Sequence, residues 1–205
     1  MKLVGLVGTN ATHSTNRQLL QYMQRHFANQ STLTICEIAD LPAFNEPADR
    51  TVPAAVQELS DKIEAADGVI FATPEYDHSI PAALKSAIEW LSYTTRPLIN
   101  KPVLIVGASN GALGTSRAQA HLRQILEAPE LKALIVPNVS FMLGHSLQAF
   151  DEQGALIDQA KVGELDNAFN AFVNFVTLAD KLLPSSQFFN QTKQFSWKQI
   201  TDGED

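Results

Sequence analysis

Short apolar runs alternate along this chain with longer segments in which apolar residues recur every three or four positions. Lys2 to Gly8 is a run of the first kind and predicts a buried strand. From Ser14 to His26 the period changes, placing Leu19, Leu20 and Met23 on one side of a helix with Phe27 just beyond it. Thr32 to Ile38 alternates as a second strand, and a proline-containing connector, Ala39 to Pro53, leads to a helix over Ala54 to Ala66. Val69 to Ala72 is continuously apolar with β-branched and aromatic members, the pattern of a strand covered on both faces of a parallel sheet. A helix opens at Ser79 or at Pro81, since proline suits a first helical turn. A fourth strand is expected at Val103 to Ala108, a helix at Ser116 to Leu126 and a fifth strand at Ala133 to Val136. An irregular stretch and a last helix over Val162 to Leu183 follow.

Strands alternating with helices of this length imply βαβ units, a parallel sheet and right-handed crossovers. Five of each predict an α/β three-layer sandwich, flavodoxin-like, with a five-stranded parallel sheet of order 2-1-3-4-5. In that order the loops after strands one, three and four leave the sheet at one edge, where open α/β sheets bind ligands.

Composition narrows the chemistry without changing the fold. With 205 residues, 45% hydrophobic and 18% charged, the chain fits one soluble globular domain. A net charge of -7 with only 15 Lys and Arg excludes a nucleic-acid scaffold, which needs clustered cations. One cysteine, Cys36, leaves no internal disulfide and no cysteine-based metal cluster. The five histidines have no metal-ligand spacing. The first apolar stretch is too short for a signal peptide and no run reaches membrane-spanning length, so a cytoplasmic protein is expected. Residues 1–183 are expected to form the ligand-binding domain. The extension from Pro184 to Asp205, polar with Phe188, Phe189, Phe195 and Trp197, reads as an arm packed on a neighbour.

The loop after strand one, G-T-N-A-T-H-S-T-N, has small and hydroxyl residues just before a helix. Free helix N-terminal amides and the helix dipole attract a phosphate there, with Ser14 and Asn16 as side-chain contributors; Thr12 or Ser14 acting simply as an N-cap is the plainer alternative. After strand three comes T-P-E-Y-D-H-S-I-P-A-A-L-K-S-A-I-E-W-L-S, in which Pro74 and Pro81 stiffen both flanks of the loop. After strand four comes G-A-S-N-G-A-L-G-T-S-R-A, whose glycines lack both dinucleotide-fold and P-loop spacing.

The segment from Thr73 to Ser92 resembles the P-E-Y-N-x-S-x-P-x-x-L-K-N-A-I-D-W signature of NAD(P)H-dependent FMN reductases, the group with quinone, azo-dye and chromate reductases. Asp77 stands where that pattern has Asn, Ala83 where it has Gly, and Ser86 where it has Asn. The first loop is similar to the family's G-S-x-R-x-x-S-x-N phosphate loop, with Ala11 in place of its Arg; Arg17, one turn into the helix, is the candidate substitute. The third loop is similar to the family's G-x-S-x-G-x-x-G-x-x-R-A segment along the isoalloxazine ring. The resemblance covers nearly all of Lys2 to Leu183. It implies an FMN site built from Gly8, Thr9, Ser14, Thr15, Asn16, Pro74, Glu75, Tyr76, Asp77, Ser109, Asn110, Gly111 and Gly114, with His78 and Arg117 meeting the substrate. It implies NADPH or NADH as co-substrate and a small electron acceptor, with no catalytic acid or base because the flavin carries the chemistry. It also implies a homodimer, or a tetramer, formed through the helix after Pro81; there Ala83, Leu84, Ala87, Ile88, Trp90 and Leu91 spread over an arc of roughly 160°, for which deep burial within the monomer is the plainer alternative. Asp77 is expected either to face solvent or to lower the flavin's potential by charge repulsion. The alternatives are a flavodoxin-type electron carrier that oxidises no NAD(P)H and a flavin-free interaction protein on the same scaffold.

Overall fold

The computed structural model describes residues 1–182, so the extension at 184–205 lies outside the described residues. Among the described residues six strands and five α-helices follow in the order β1 (Lys2–Val7), α1 (Thr15–His26), β2 (Thr32–Cys36), α2 (Ala54–Glu64), β3 (Gly68–Ala72), α3 (Ala82–Trp90), β4 (Pro102–Ala108), α4 (Ser116–Leu126), β5 (Leu134–Ile135), β6 (Phe141–Leu143) and α5 (Gln159–Leu182). A π-helical turn, Leu91–Thr95, prolongs α3. All pairings in the sheet are parallel, in the order β2-β1-β3-β4-β5, which is the expected order.

The fifth position of the sheet departs from expectation. It is shared by two short strands: β5 pairs with Pro102 and Val103 at the start of β4, and β6 pairs with Val106 to Ala108 at its end. The segment expected to be irregular therefore contains β6. The sheet continues through it to the edge where the ligand loops leave.

Side-chain alternation along the strands divides the core into two layers. Val4, Leu6, Val69, Phe71, Val103 and Ile105 face α2, α3 and α4. Leu3, Val7, Ile70, Ala72, Leu104 and Val106 face α1 and α5. The central strands are buried on both faces, as their unbroken apolar sequences require.

The breadth of the apolar face on α3 has its explanation inside the chain. The connector between β2 and α2 folds back across it: Trp90 Nε1 donates to the Pro42 carbonyl at 2.8 Å, the Phe44 amide donates to Ser86 Oγ at 2.8 Å, and the Phe44 and Trp90 rings meet edge to face at 5.1 Å. Trp90 is only 3% exposed. Trp90 is thus covered by this chain's own connector, so its burial does not call for a second subunit.

Candidate functional site

Three loops and one unanticipated turn converge at the carboxyl edge of β1, β3 and β4. They enclose a cleft of about 290 Å³ lined by His13, Ser14, Thr15, Asn16, Pro74, Glu75, Tyr76, Ala108, Ser109, Asn110, Ser146 and Leu147. A larger cavity, about 570 Å³, lies away from these loops among Arg50, Glu64, Thr94, Thr95, Arg96 and Lys101. It contains none of the expected site residues and sits beside the amino-terminal end of β4, opposite the edge where an open parallel sheet binds ligands.

The first loop is organised around the start of α1. Ser14 is its N-cap, and its Oγ accepts from the Arg17 amide at 3.2 Å. The next two amides, those of Thr15 and Asn16, are at positions where a helix offers no acceptor of its own. Asn16 differs from expectation. Its side chain is buried and bridges to β4, Nδ2 donating to the Ala108 carbonyl and Oδ1 accepting from the Ala108 amide, both at 2.8 Å. What it can present to a ligand is its backbone N–H.

Gly8 is required by packing beneath the loop, since a Cβ there would lie 2.7 Å from the Ala72 carbonyl oxygen. Thr9 Oγ1 accepts from the Ala11 amide at 3.2 Å and shares a 3.3 Å hydrogen bond with the Tyr76 hydroxyl, which links the first two loops. Neither Gly8 nor Thr9 lines the cleft itself.

The second loop turns back on itself as a two-residue hairpin. Tyr76 and Ser79 exchange backbone hydrogen bonds at 3.0 and 2.9 Å, and Asp77 and His78 between them have φ of 49° and 64°. Two consecutive positive φ values are the signature of a type I′ turn, which favours Asn or Asp at its first central position. The departure from Asn at Asp77 is therefore mild in backbone terms. Asp77 and His78 are exposed and lie outside the cleft lining, so Asp77 takes the solvent-facing option.

Glu75 is spent on structure as well as on the cleft. Its Oε2 accepts from the Arg117 and Ala118 amides at 3.0 and 3.2 Å, while Oε1 lies 3.4 Å from Arg117 Nη1 and 3.6 Å from His78 Nδ1. Thr115, the N-cap residue of α4, makes no capping bond, so a carboxylate from another loop does that work. Burial pushes the Glu75 carboxyl pKa up, but the two amides, Arg117 and His78 outweigh it and hold it below the ordinary glutamate range. Arg117, expected to meet the substrate, is engaged with Glu75 and is not in the lining. A second tie, Ser79 Oγ to His121 Nδ1 at 2.7 Å, fixes the hairpin to the same helix.

The third loop brings Ser109 and Asn110 to the cleft, whereas Gly111 and Gly114 stand behind it. Gly114 has φ of +62° with the β6 backbone close by, and so serves the turn. Ser146 and Leu147 were not foreseen. β6 delivers them: the Ser109 amide donates to the Leu143 carbonyl at 2.9 Å, the Ser146 amide donates to the Ser109 carbonyl at 3.0 Å, and Thr15 Oγ1 donates to Ser146 Oγ at 3.0 Å. The apolar F-M-L ahead of G-H-S was the available signal.

Over residues 1–148 the sequence matches the family described as NADPH-dependent FMN reductase. The chain belongs to that family. The NADH:(hydroxy)cinnamate reductase subunit CrdA of Vibrio ruber is 57% identical over 198 residues, 97% of this chain and 98% of that one. NADH-dependent flavin reductase subunit 2 of Lactobacillus johnsonii is 45% identical, covering 88% of this chain and all of its own length. Among solved structures, FerB, a flavoenzyme NAD(P)H:acceptor oxidoreductase from Paracoccus denitrificans, superposes with a TM-score of 0.78 at 26% identity over 87% of this chain and 98% of that one. Membership makes the protein an oxidoreductase with FMN as cofactor and NAD(P)H as reductant. The cleft suits that cofactor: free amides at the start of α1 fit a monophosphate, and the half-exposed Tyr76 ring and Leu147 offer apolar surface to a flat ring system.

Proposed function

We propose that this protein takes a hydride from NAD(P)H and passes the electrons to small acceptors such as quinones, azo compounds or free flavin. The observation that carries the reading is the meeting of the three loops in one cleft, whose lining includes both the start of a helix and the exposed side chains of Tyr76 and Leu147. FMN bound there supplies the redox chemistry; position and electrostatics come from the protein.

The residue roles follow from the geometry. The amides of Thr15 and Asn16, with the Ser14 and Thr15 hydroxyls, would hold the phosphate. Pro74 to Tyr76 and Ser109 to Asn110 would border the ring from two sides. Tyr76 at 49% exposure and Leu147 at 68%, both in the cleft lining, offer apolar surface that suits planar, weakly polar acceptors. No side chain in the cleft is required to move a proton during hydride transfer.

A second reading concerns the destination of the electrons. Both named relatives are described as subunits, which favours a second polypeptide as acceptor alongside free small molecules. We also place the protein in the cytoplasm, a reading supported by the want of any helix, among the described residues, long and apolar enough to cross a membrane. We propose a homodimer, or a tetramer built from it.

Purified protein should be yellow, with the absorption spectrum of bound FMN, and should oxidise NADH or NADPH steadily when a quinone is supplied. Bound FMN without NAD(P)H oxidation would turn the assignment to an electron carrier of the flavodoxin type. A colourless protein that takes up no added FMN would overturn it.

A further inference from the structure

The Arg17 guanidinium uses all of its donors inside the protein. Nη1 donates to the carbonyls of Ala11 and Thr12 at 3.1 and 3.0 Å, and Nη2 donates to the Ala11 carbonyl at 3.2 Å. Nε and Nη2 bind the two oxygens of Glu37 at 2.6 and 2.8 Å, a fork-to-fork pair at the end of β2. Burial lowers the guanidinium's pKa, but its hydrogen bond and charge pairing with Glu37 outweigh that and raise it. Nothing is left over for a ligand, so Arg17 is no direct substitute for the arginine missing at Ala11.

Its placement has a different consequence. In a trans peptide the C=O and the following N–H point to opposite sides. With the carbonyls of Ala11 and Thr12 turned towards Arg17, the amides of Thr12 and His13 point away from it. His13 and Ser14, which follow, line the cleft. Turned away from Arg17, these two amides are available to join those of Thr15 and Asn16, and consecutive backbone amides of this kind form an anion-binding concavity.

We propose that Arg17, gripped by Glu37, is a positioning residue that turns the loop's amides towards the phosphate of FMN, so that phosphate recognition is set from β2. This rests on the FMN reading above. It accounts for a phosphate loop with no cation of its own: the charge lies behind the loop and acts by orienting peptide dipoles. Lysine cannot replace it, because a single ammonium lacks the planar fork that holds a carboxylate and two carbonyls together.

The test is to titrate apoprotein with FMN and with riboflavin, which lacks only the phosphate. Arg17→Gln and Arg17→Lys should weaken FMN by roughly ten- to a hundredfold, the factor carried by one or two hydrogen bonds to a charged group, and leave riboflavin unchanged. Glu37→Gln should weaken FMN less, in the same phosphate-selective way, with little change in the melting curve. In the holoprotein the phosphorus resonance of bound FMN should move towards that of free FMN in each variant. Equal loss of FMN and riboflavin, or an unmoved phosphorus resonance, would overturn the role of Arg17 alone. Wild-type protein that binds no flavin would overturn the functional reading and this role with it.

Discussion

A carboxylate at the start of a helix is favoured by the dipole and by otherwise unsatisfied amides, and Glu75 reaches that position from a different loop. It serves two ends at once: it borders the cleft and fastens α4, which bears Arg117 and Ala118. Glu75→Gln should cost about 0.5–2 kcal/mol, the range for losing an N-cap, as read by denaturant unfolding at neutral pH. Because the folded-state pKa is depressed, the charged form's contribution is fully present above the unfolded value of about 4.3 and fades as pH falls through the lower folded value. The gap between wild type and variant should therefore narrow as pH falls; a gap of constant size from neutral pH down into acid would assign the effect to packing. Asp77 is the contrasting residue. Exposed at the tip of a type I′ turn, it is too well solvated to act strongly on the cleft. Asp77→Asn should leave the flavin midpoint potential unchanged, and His78→Gly should stabilise the protein slightly by relieving a positive φ. A clear rise in potential for Asp77→Asn would place the carboxylate nearer the ring than the fold has it.

Elements separate what could be read from the sequence from what could not. Apolar runs and helical spacing were sufficient for α1 to α5 and for the five expected strand positions, because each of those signals is local. The width of the α3 face was legible too, but its cause was not. No local pattern says that Pro42 and Phe44 return to cover Trp90, a contact across 48 residues. Trp90→Glu is accordingly expected to unfold the protein rather than produce a folded monomer. Truncating a buried Trp costs about 3–5 kcal/mol, and an unpaired buried charge adds to that. Light scattering with circular dichroism distinguishes the outcomes, and a folded, soluble variant would show that the connector can leave α3. The same limit hid β6, since three apolar residues carry no period. It hid Ser146 as well, whose tie to Thr15 spans 131 residues. Within the first loop the sequence pointed to Ser14, Thr15 and Asn16, which line the cleft, but Asn16 bonds to β4 with its side chain and Arg17 holds carbonyls, choices that only the assembled edge of the sheet determines.

At the scale of the whole molecule the cleft belongs to no single segment. Its lining comes from the loops after β1, β3 and β4 and from the turn after β6, and the hydrogen bonds Thr9 to Tyr76, Asn16 to Ala108 and Thr15 to Ser146 tie these pieces to one another. A ligand bound there touches all of them in the native state and meets none of them together in the unfolded chain. FMN should therefore raise global stability by mass action. At a free concentration of about 100 times Kd the gain is about 2.7 kcal/mol. At about 2–4 °C per kcal/mol for a chain of this length, that lifts Tm by roughly 5–11 °C. Calorimetry of apoprotein with increasing FMN checks the size of the shift, and hydrogen exchange checks its location. Protection should increase in the loops after β1, β3 and β4 and around Ser146, while the large cavity beside Arg50 and Arg96 stays as it was. A Tm that does not respond to FMN, or protection gained only at that distant cavity, would mean that the converging loops are not where the cofactor sits.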